Sequence, residues 1–156
     1  MSTRKINVGI IGASGYTGAD AVRLLAGHPH AEIKLLTGNA HAGKALADIY
    51  PQFAGLDVPP LATAEDADWS AIDVAICGLP HSTAQDVIAQ LPESVKIIDM
   101  SADFRLRNTD TYAAWYGRTH DNAALLGEAV YGLSEHYADE IKDARLVACP
   151  GAEIPR

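Results

Sequence analysis

The residues of this chain best placed to do chemistry are the glycines of Gly12-Ala13-Ser14-Gly15-Tyr16-Thr17-Gly18, which follow the apolar run Ile6-Asn7-Val8-Gly9-Ile10-Ile11. A short run rich in Ile and Val that ends in glycines reads as a buried strand turning sharply into a helix. In that setting Gly12 permits the tight turn, Gly15 lets the backbone approach a pyrophosphate, and Gly18 lets the helix pack closely on the strand. The helix then aims its unpaired N–H groups and positive end at the anion. The first two glycines are three apart, whereas the usual dinucleotide fingerprint has them two apart, so spacing alone leaves a purely structural glycine turn open. The strand before and the helix after favour the dinucleotide site.

Other polar and nucleophilic side chains sit where strands end. His81 closes Gly78-Leu79-Pro80-His81, after the buried strand read at 73–77. That is the carboxyl edge where doubly wound folds bind ligands. His81 reads either as lining the nicotinamide side of a cofactor or as an exposed loop histidine. Asp103 and Arg105, in Met100-Ser101-Ala102-Asp103-Phe104-Arg105, follow a strand read at 95–99. They are site residues or a structural ion pair. Cys77 reads as a core thiol and Cys149 as a strand-end thiol, both reduced; no Cys-x-x-Cys or His/Cys cluster predicts a metal site.

The elements that must position these groups follow from periodicity. After Gly18, Ala21, Val22 and Leu25 share one helical face, with Asp20 and Arg23 opposite, and Gly27-His28-Pro29 ends the helix. Residues 33–37 read as a second strand. The opening is therefore strand, helix, strand, which calls for a right-handed parallel crossover. The predicted fold is α/β, a Rossmann-like, doubly wound, mostly parallel sheet. Residues 44–50 predict a short helix before Pro51, and 51–67 an irregular stretch broken by Pro59-Pro60. Ser82 with Gln85 reads as a capping box for a helix whose stripe is Ala84, Val87, Ile88 and Leu91. Residues 108–122 predict a helix and then a loop, with Tyr112, Trp115 and Tyr116 as packing aromatics. Ser134 reads as the cap of a short helix carrying Tyr137 and Ile141, and residues 145–149 as a fifth strand.

The end of the second strand is where such folds choose their cofactor: an acid there holds a ribose 2′-hydroxyl, and neutral or positive donors suit a 2′-phosphate. Thr37-Gly38-Asn39-Ala40-His41-Ala42-Gly43-Lys44 holds no acid, which favours NADP over NAD. His41 and Lys44 individually read equally well as solvated side chains. The 156 residues make one domain of ordinary size, and 12 basic against 20 acidic residues give a net charge of -8. That balance argues against nucleic acid or an anionic membrane as partner. With no apolar run of spanning length and no secretory signal, the expected address is the cytoplasm.

Taken together, the glycine stretch, Leu79-Pro80-His81, Asp99-Met100-Ser101-Ala102-Asp103-Phe104-Arg105, Ala129-Val130-Tyr131-Gly132-Leu133 with Glu135, and Val147-Ala148-Cys149-Pro150-Gly151 resemble the N-acetyl-gamma-glutamyl-phosphate reductase family, in its order and over nearly the whole chain. The aspartate-semialdehyde dehydrogenases are similar in logic, but the Ser-Ala-Asp-Phe-Arg and Val-Tyr-Gly-Leu pieces point away from them. The resemblance implies NADPH-dependent reduction of N-acetylglutamyl phosphate to its semialdehyde in arginine biosynthesis, through a cysteine thioester, by a protein that is a homo-oligomer when complete. It implies a cofactor site at Gly12, Ser14, Gly15, Tyr16, Thr17 and Gly18, with Leu79, Pro80 and Ser101 toward the nicotinamide; Thr37 and Asn39 at the end of the second strand and His81 at its own turn join these as candidates by their place at strand ends. Asp103 and Arg105, by their place after a strand's carboxyl end, are the candidates for the substrate.

Two departures stand out. The family's Ser-Arg pair is Gly38-Asn39 here, so the cation expected on the 2′-phosphate is missing. The family's nucleophile position is Ala152, followed by a divergent tail over 152–156. Cys149, three residues earlier, is a displaced and poorly placed substitute. The expectation is a dinucleotide-binding domain over 1–151 without the catalytic and dimerisation domain, hence a catalytically incomplete fragment. The alternative is a non-catalytic NADP-binding module that acts through a partner or oligomer.

Overall fold

The computed structural model describes residues 4–151, so the tail 152–156 lies outside the described residues. The chain divides into two compact units, one up to Gly78 and one from Leu79 onward. In the first unit, β1 (Ile6–Ile11) leads through α1 (Tyr16–Leu25) to β2 (Ala31–Thr37), followed by β3 (Leu61–Ala62) and β4 (Val74–Cys77). The strand order is β3-β2-β1-β4, and every pairing is parallel. Strand β1 thus lies between β2 and β4, and the order reverses beside it. In parallel α/β folds ligands bind at that reversal, outside the strands' carboxyl ends. Gly12 follows β1 and Gly78 follows β4 at this place, and the Gly78 N–H donates to the Ile11 carbonyl at 2.9 Å.

The sequence forms these elements for simple reasons. Val8, Ile10 and Ile11 of β1, Leu36 of β2 and Ala75 of β4 are buried on a sheet enclosed on both faces, the environment that selects continuous apolar runs. Helix α1 buries Gly18, Ala19, Ala21 and Val22. The predicted helix at 44–50 is reduced to a single 3-10 turn at Leu46–Asp48, with further 3-10 turns before it at Asn39–His41 and after it at Pro51–Phe53. Gly43, at φ 84°, breaks the path before it, and Pro51 keeps Tyr50 out of the helical region.

The second unit holds α2 (Ala84–Ile88), β5 (Lys96–Asp99), α3 (Thr109–Tyr116), α4 (Ala123–Glu128), β6 (Val130–Tyr131), α5 (Ser134–Asp143) and β7 (Leu146–Ala148). Its strands run β5-β7-β6, again parallel. The Rossmann-like parallel α/β class expected from the sequence is the observed one. Five strands were expected and seven are described. The two additional strands, β3 and β6, have two residues each, too short for any periodicity, and exist through pairing with Leu36 and Thr37 or with Val147 and Ala148. Helix α3 lies in the helix-and-loop stretch expected over 108–122, and α4, which follows it, was not expected. Ser134 is the first residue of α5 rather than its cap, which is Leu133, and Tyr137 interrupts that helix at φ -123°, ψ 27°.

One contact governs the first unit. A Cβ built on Gly18 would overlap the Gly12 carbonyl oxygen and lie 2.7 Å from Ala13 Cα. Both are backbone atoms that cannot step aside. Gly18→Ala should therefore destabilise the first unit by about 2–3 kcal/mol, as overpacking does, read from its urea midpoint. An unchanged midpoint would show that α1 is not seated as described.

Candidate functional site

The turn after β1 is built from backbone. Gly12 takes φ 77°, which glycine adopts freely. The Gly15 N–H closes back on the Gly12 carbonyl at 2.9 Å, and the Ala13 N–H donates to the Thr37 carbonyl at 2.8 Å. Thr37 Oγ1 accepts from the Gly12 N–H at 3.4 Å, and the Tyr50 hydroxyl donates to the Ser14 carbonyl at 2.9 Å. The turn is thus held from two sides. Thr37 is buried and acts by fixing Gly12, whereas Tyr16 and Thr17 are exposed at the start of α1.

This end of α1 fits an anion. The first amides of a helix have no acceptor within it. Here the N-cap is Gly15, which offers no side chain to satisfy them, and the first turn carries no acid. A Cβ on Gly15 would meet only the Gly12 carbonyl, at 3.4 Å, so the backbone lies open to a pyrophosphate at that position.

Residues 38–44 form a braced loop beside the turn. The Gly38 N–H donates to the Ala62 carbonyl at 2.9 Å, the Gly43 N–H to the Leu61 carbonyl at 2.7 Å, and the Leu61 N–H to the Lys44 carbonyl at 2.9 Å. A Cβ on Gly38 would sit 2.8 Å from Ser14 Oγ. The loop therefore rests against Ser14. Asn39 Oδ1 accepts from the Ala64 N–H at 3.1 Å, which engages the carboxamide oxygen and leaves its NH2 group to donate. Lys44 is exposed, and His41 keeps a buried Nδ1 without a hydrogen-bond partner. The loop offers donors and no carboxylate.

In the second unit Leu79 is half-buried, while Pro80 and His81 are exposed. The His81 ring lies 5.8 Å from that of Tyr116. The predicted capping box is not formed: the N-cap of α2 is Thr83, without a side-chain bond. The capping comes instead from a distant residue. Asp103, fully buried, accepts from the Ser82 N–H at 2.7 Å and the Gln85 N–H at 3.2 Å, and from the Tyr112 hydroxyl at 2.6 Å. Burial, then Asp103 beside it, raises the pKa of that hydroxyl far above its ordinary value. The Asp103–Arg105 ion pair considered from sequence is replaced by separate partners. Arg105 donates from Nε to the Cys149 carbonyl at 2.8 Å and from Nη2 to the Met100 carbonyl at 3.2 Å, with Gly151 packed on its guanidinium.

Ser101 is buried as well, its hydroxyl donating to Asp99 Oδ2 at 2.8 Å and accepting from the Asp103 N–H at 3.1 Å. Cys149 is half-buried. Burial pushes its thiol up, Asp99 adds to that, and Arg105 opposes, so it lacks the low pKa of an activated nucleophile. Ala152 lies outside the described residues. Sequence reasoning missed Tyr50 and Tyr112 as supports, because their partners lie 36 and 9 residues away and no local pattern marks them.

Asp99 is fully buried, and burial pushes its carboxyl up to about 6, with the Ser101 hydrogen bonds pulling the other way. A pKa raised in the folded state favours folding while the group is protonated, below about pH 4, and that stability is lost as pH rises through about 6. The difference is on the order of 2–3 kcal/mol. Asp99→Asn should match the wild type near pH 4 and exceed its stability at pH 7 by up to that amount in urea titrations. Parallel pH profiles would refute the assignment.

Comparison with known proteins gives the family and the fold. Residues 7–144 match the family described as semialdehyde dehydrogenase, NAD binding domain. The chain is 53% identical over 149 residues to the N-acetyl-gamma-glutamyl-phosphate reductase of Jannaschia sp., covering 96% of this chain and 43% of that protein. It is 53% identical over 145 residues to that of Cereibacter sphaeroides strain KD131, covering 93% of this chain and 42% of that protein. The chain thus spans about two fifths of the length of these relatives. In fold it is similar to the aspartate semialdehyde dehydrogenase with NADP from Candida albicans, with a TM-score of 0.64 at 17% identity, covering 93% of this chain and 42% of that one. With the match running through both units, from β1 to the end of α5, this chain belongs to the semialdehyde dehydrogenase NAD-binding domain family.

Proposed function

We propose that this chain is the dinucleotide-binding part, over 1–151, of an N-acetyl-gamma-glutamyl-phosphate reductase, and that it binds NADPH. The observation that carries the proposal is the open, acid-free start of α1 over the Gly12–Gly15 turn, with the carboxylate-free loop 38–44 beside it. Gly12, Ser14, Gly15, Tyr16, Thr17 and Gly18 would hold the pyrophosphate through backbone N–H groups and adjacent hydroxyls. Thr37 keeps that turn in shape. Asn39, with its carboxamide NH2 group, would face the 2′-phosphate in place of an arginine. When bound, NADPH supplies a hydride. Leu79, Pro80 and His81 are the candidate residues toward the nicotinamide, and Ser101 supports its segment from a buried position.

In the whole protein the reaction would be reduction of an acyl phosphate, N-acetyl-L-glutamyl 5-phosphate, to the 5-semialdehyde. Arg105 is a cation available to an anionic substrate: its Nε and Nη2 donate to backbone carbonyls, which leaves Nη1 to donate. Catalysis needs an activated thiolate, and among the described residues Cys77 is fully buried and Cys149 has a raised pKa. This observation favours binding without turnover by the chain alone. It also supports the second reading, an NADP-binding module that acts through a partner or oligomer.

Titration of the purified chain with NADPH and separately with NADH, by calorimetry, should give saturable binding with NADPH preferred; no binding to either would refute the proposal. Gly15→Val should abolish binding and leave the urea midpoint within about 0.5 kcal/mol of wild type, since Gly15 has φ -88° and an open Cβ position. The chain alone should show no NADPH oxidation dependent on the acyl phosphate. Measurable turnover would overturn the non-catalytic reading.

A further inference from the structure

The buried carboxylate of Asp103 has a task that its sequence context does not suggest. An enclosed carboxylate is costly unless its lone pairs are taken by donors, and this one meets the Ser82 N–H, the Gln85 N–H and the Tyr112 hydroxyl. Two of those donors belong to the entry into α2, directly after Leu79-Pro80-His81. Ser82 sits at φ 71°, a conformation that costs a residue with a side chain on the order of 1 kcal/mol and persists only where its surroundings hold it. Its N–H is held by Asp103. Its carbonyl is held by Arg118 Nη1 at 2.5 Å, and Arg118 is steadied by Asp86 at 3.5 Å and Asp121 at 3.4 Å.

A second line of contact reaches the same turn through side chains. The Tyr112 ring is fully buried and lies 4.8 Å from that of Tyr116, which in turn lies 5.8 Å from His81. His120 closes the other side, 5.0 Å from Tyr112 and 5.1 Å from Phe104, nearly perpendicular to both. We infer that Asp103 is a positioning residue: it fixes the backbone of Ser82 and, with Tyr112, the direction in which Pro80 and His81 face, and it does not itself touch substrate. That the turn so fixed faces cofactor rests on the function proposed above; the fixing itself does not.

Asp103→Asn keeps the size of the side chain but replaces one acceptor oxygen by a donor. Tyr112→Phe removes one of the three bonds and keeps the carboxylate. The readouts are the His81 ring resonance, set by the neighbouring Tyr116 ring, and NADPH and NADH affinity. Asp103→Asn is expected to move the His81 resonance toward its unstructured value and to weaken both nucleotides about tenfold, with their ratio unchanged because loop 38–44 is untouched. Tyr112→Phe should shift both readouts in the same direction by less, and decides the matter if Asp103→Asn does not fold. Folded variants with an unchanged His81 resonance would overturn the inference. If the wild type binds neither nucleotide the cofactor reading falls, while the His81 resonance still decides whether Asp103 positions the turn.

Discussion

The first unit depends on how closely a helix can approach the strand that precedes it. Gly18 touches the backbone of Gly12 and Ala13, and a Cβ on Gly78 would lie 3.2 Å from the Gly18 amide nitrogen. Gly18 thus fits where no Cβ could, and Gly78 packs tightly beside it. That contact seats the start of α1 directly over the carboxyl ends of β1 and β4. The partial positive charge of the helix end is consequently carried to the rim of the sheet, without recruiting a basic side chain in a protein of net charge -8.

The second unit solves a different problem, which is how to keep two acids out of water a few residues apart. Asp99 and Asp103 are both fully buried. Asp103 receives three donors, two of them amides at the entry into a short helix. The side chain of Asp99 is met by the amide and hydroxyl of Ser101 alone, and burial raises its pKa despite those two bonds. Ser101 hydrogen-bonds to both residues, with its hydroxyl facing Asp99 and accepting from the Asp103 amide. The Ser-Ala-Asp-Phe-Arg segment thereby acts as a polar clasp at the end of β5, with Ser101, Asp103 and Phe104 buried and Arg105 partly solvated.

Legibility from sequence followed the range of the interactions involved. Strands β1, β2, β4, β5 and β7 are each marked by a run of apolar residues, and the glycine turn is marked by three residues whose lack of a side chain is itself the signal. Strands β3 and β6 exist only because a partner strand is there to pair with. The capping box at Ser82 was a sound local reading that tertiary structure overrode: Asp103 offered a better acceptor, and Ser82 moved to positive φ to meet it. Similarly, Asp103 and Arg105 looked like each other's partners because they are close in sequence. Each found stronger company in backbone groups brought in by the fold.

The Tyr50–Ser14 hydrogen bond carries a consequence for how this protein opens. The hydroxyl reaches across 36 residues, and with the bonds from Gly12 and Ala13 to Thr37 and from Gly38 to Ala62 it closes a circuit that lies wholly within residues 12–62. A loop tied in this way does not fray by itself. The Ala13 and Gly38 amides, bonded within that circuit, are thereby tied to the strands, so this side of the turn shares the opening free energy of the sheet rather than that of a surface loop. The ordering entropy of the turn is met once, when the first unit folds, and is not charged again to a nucleotide that arrives later.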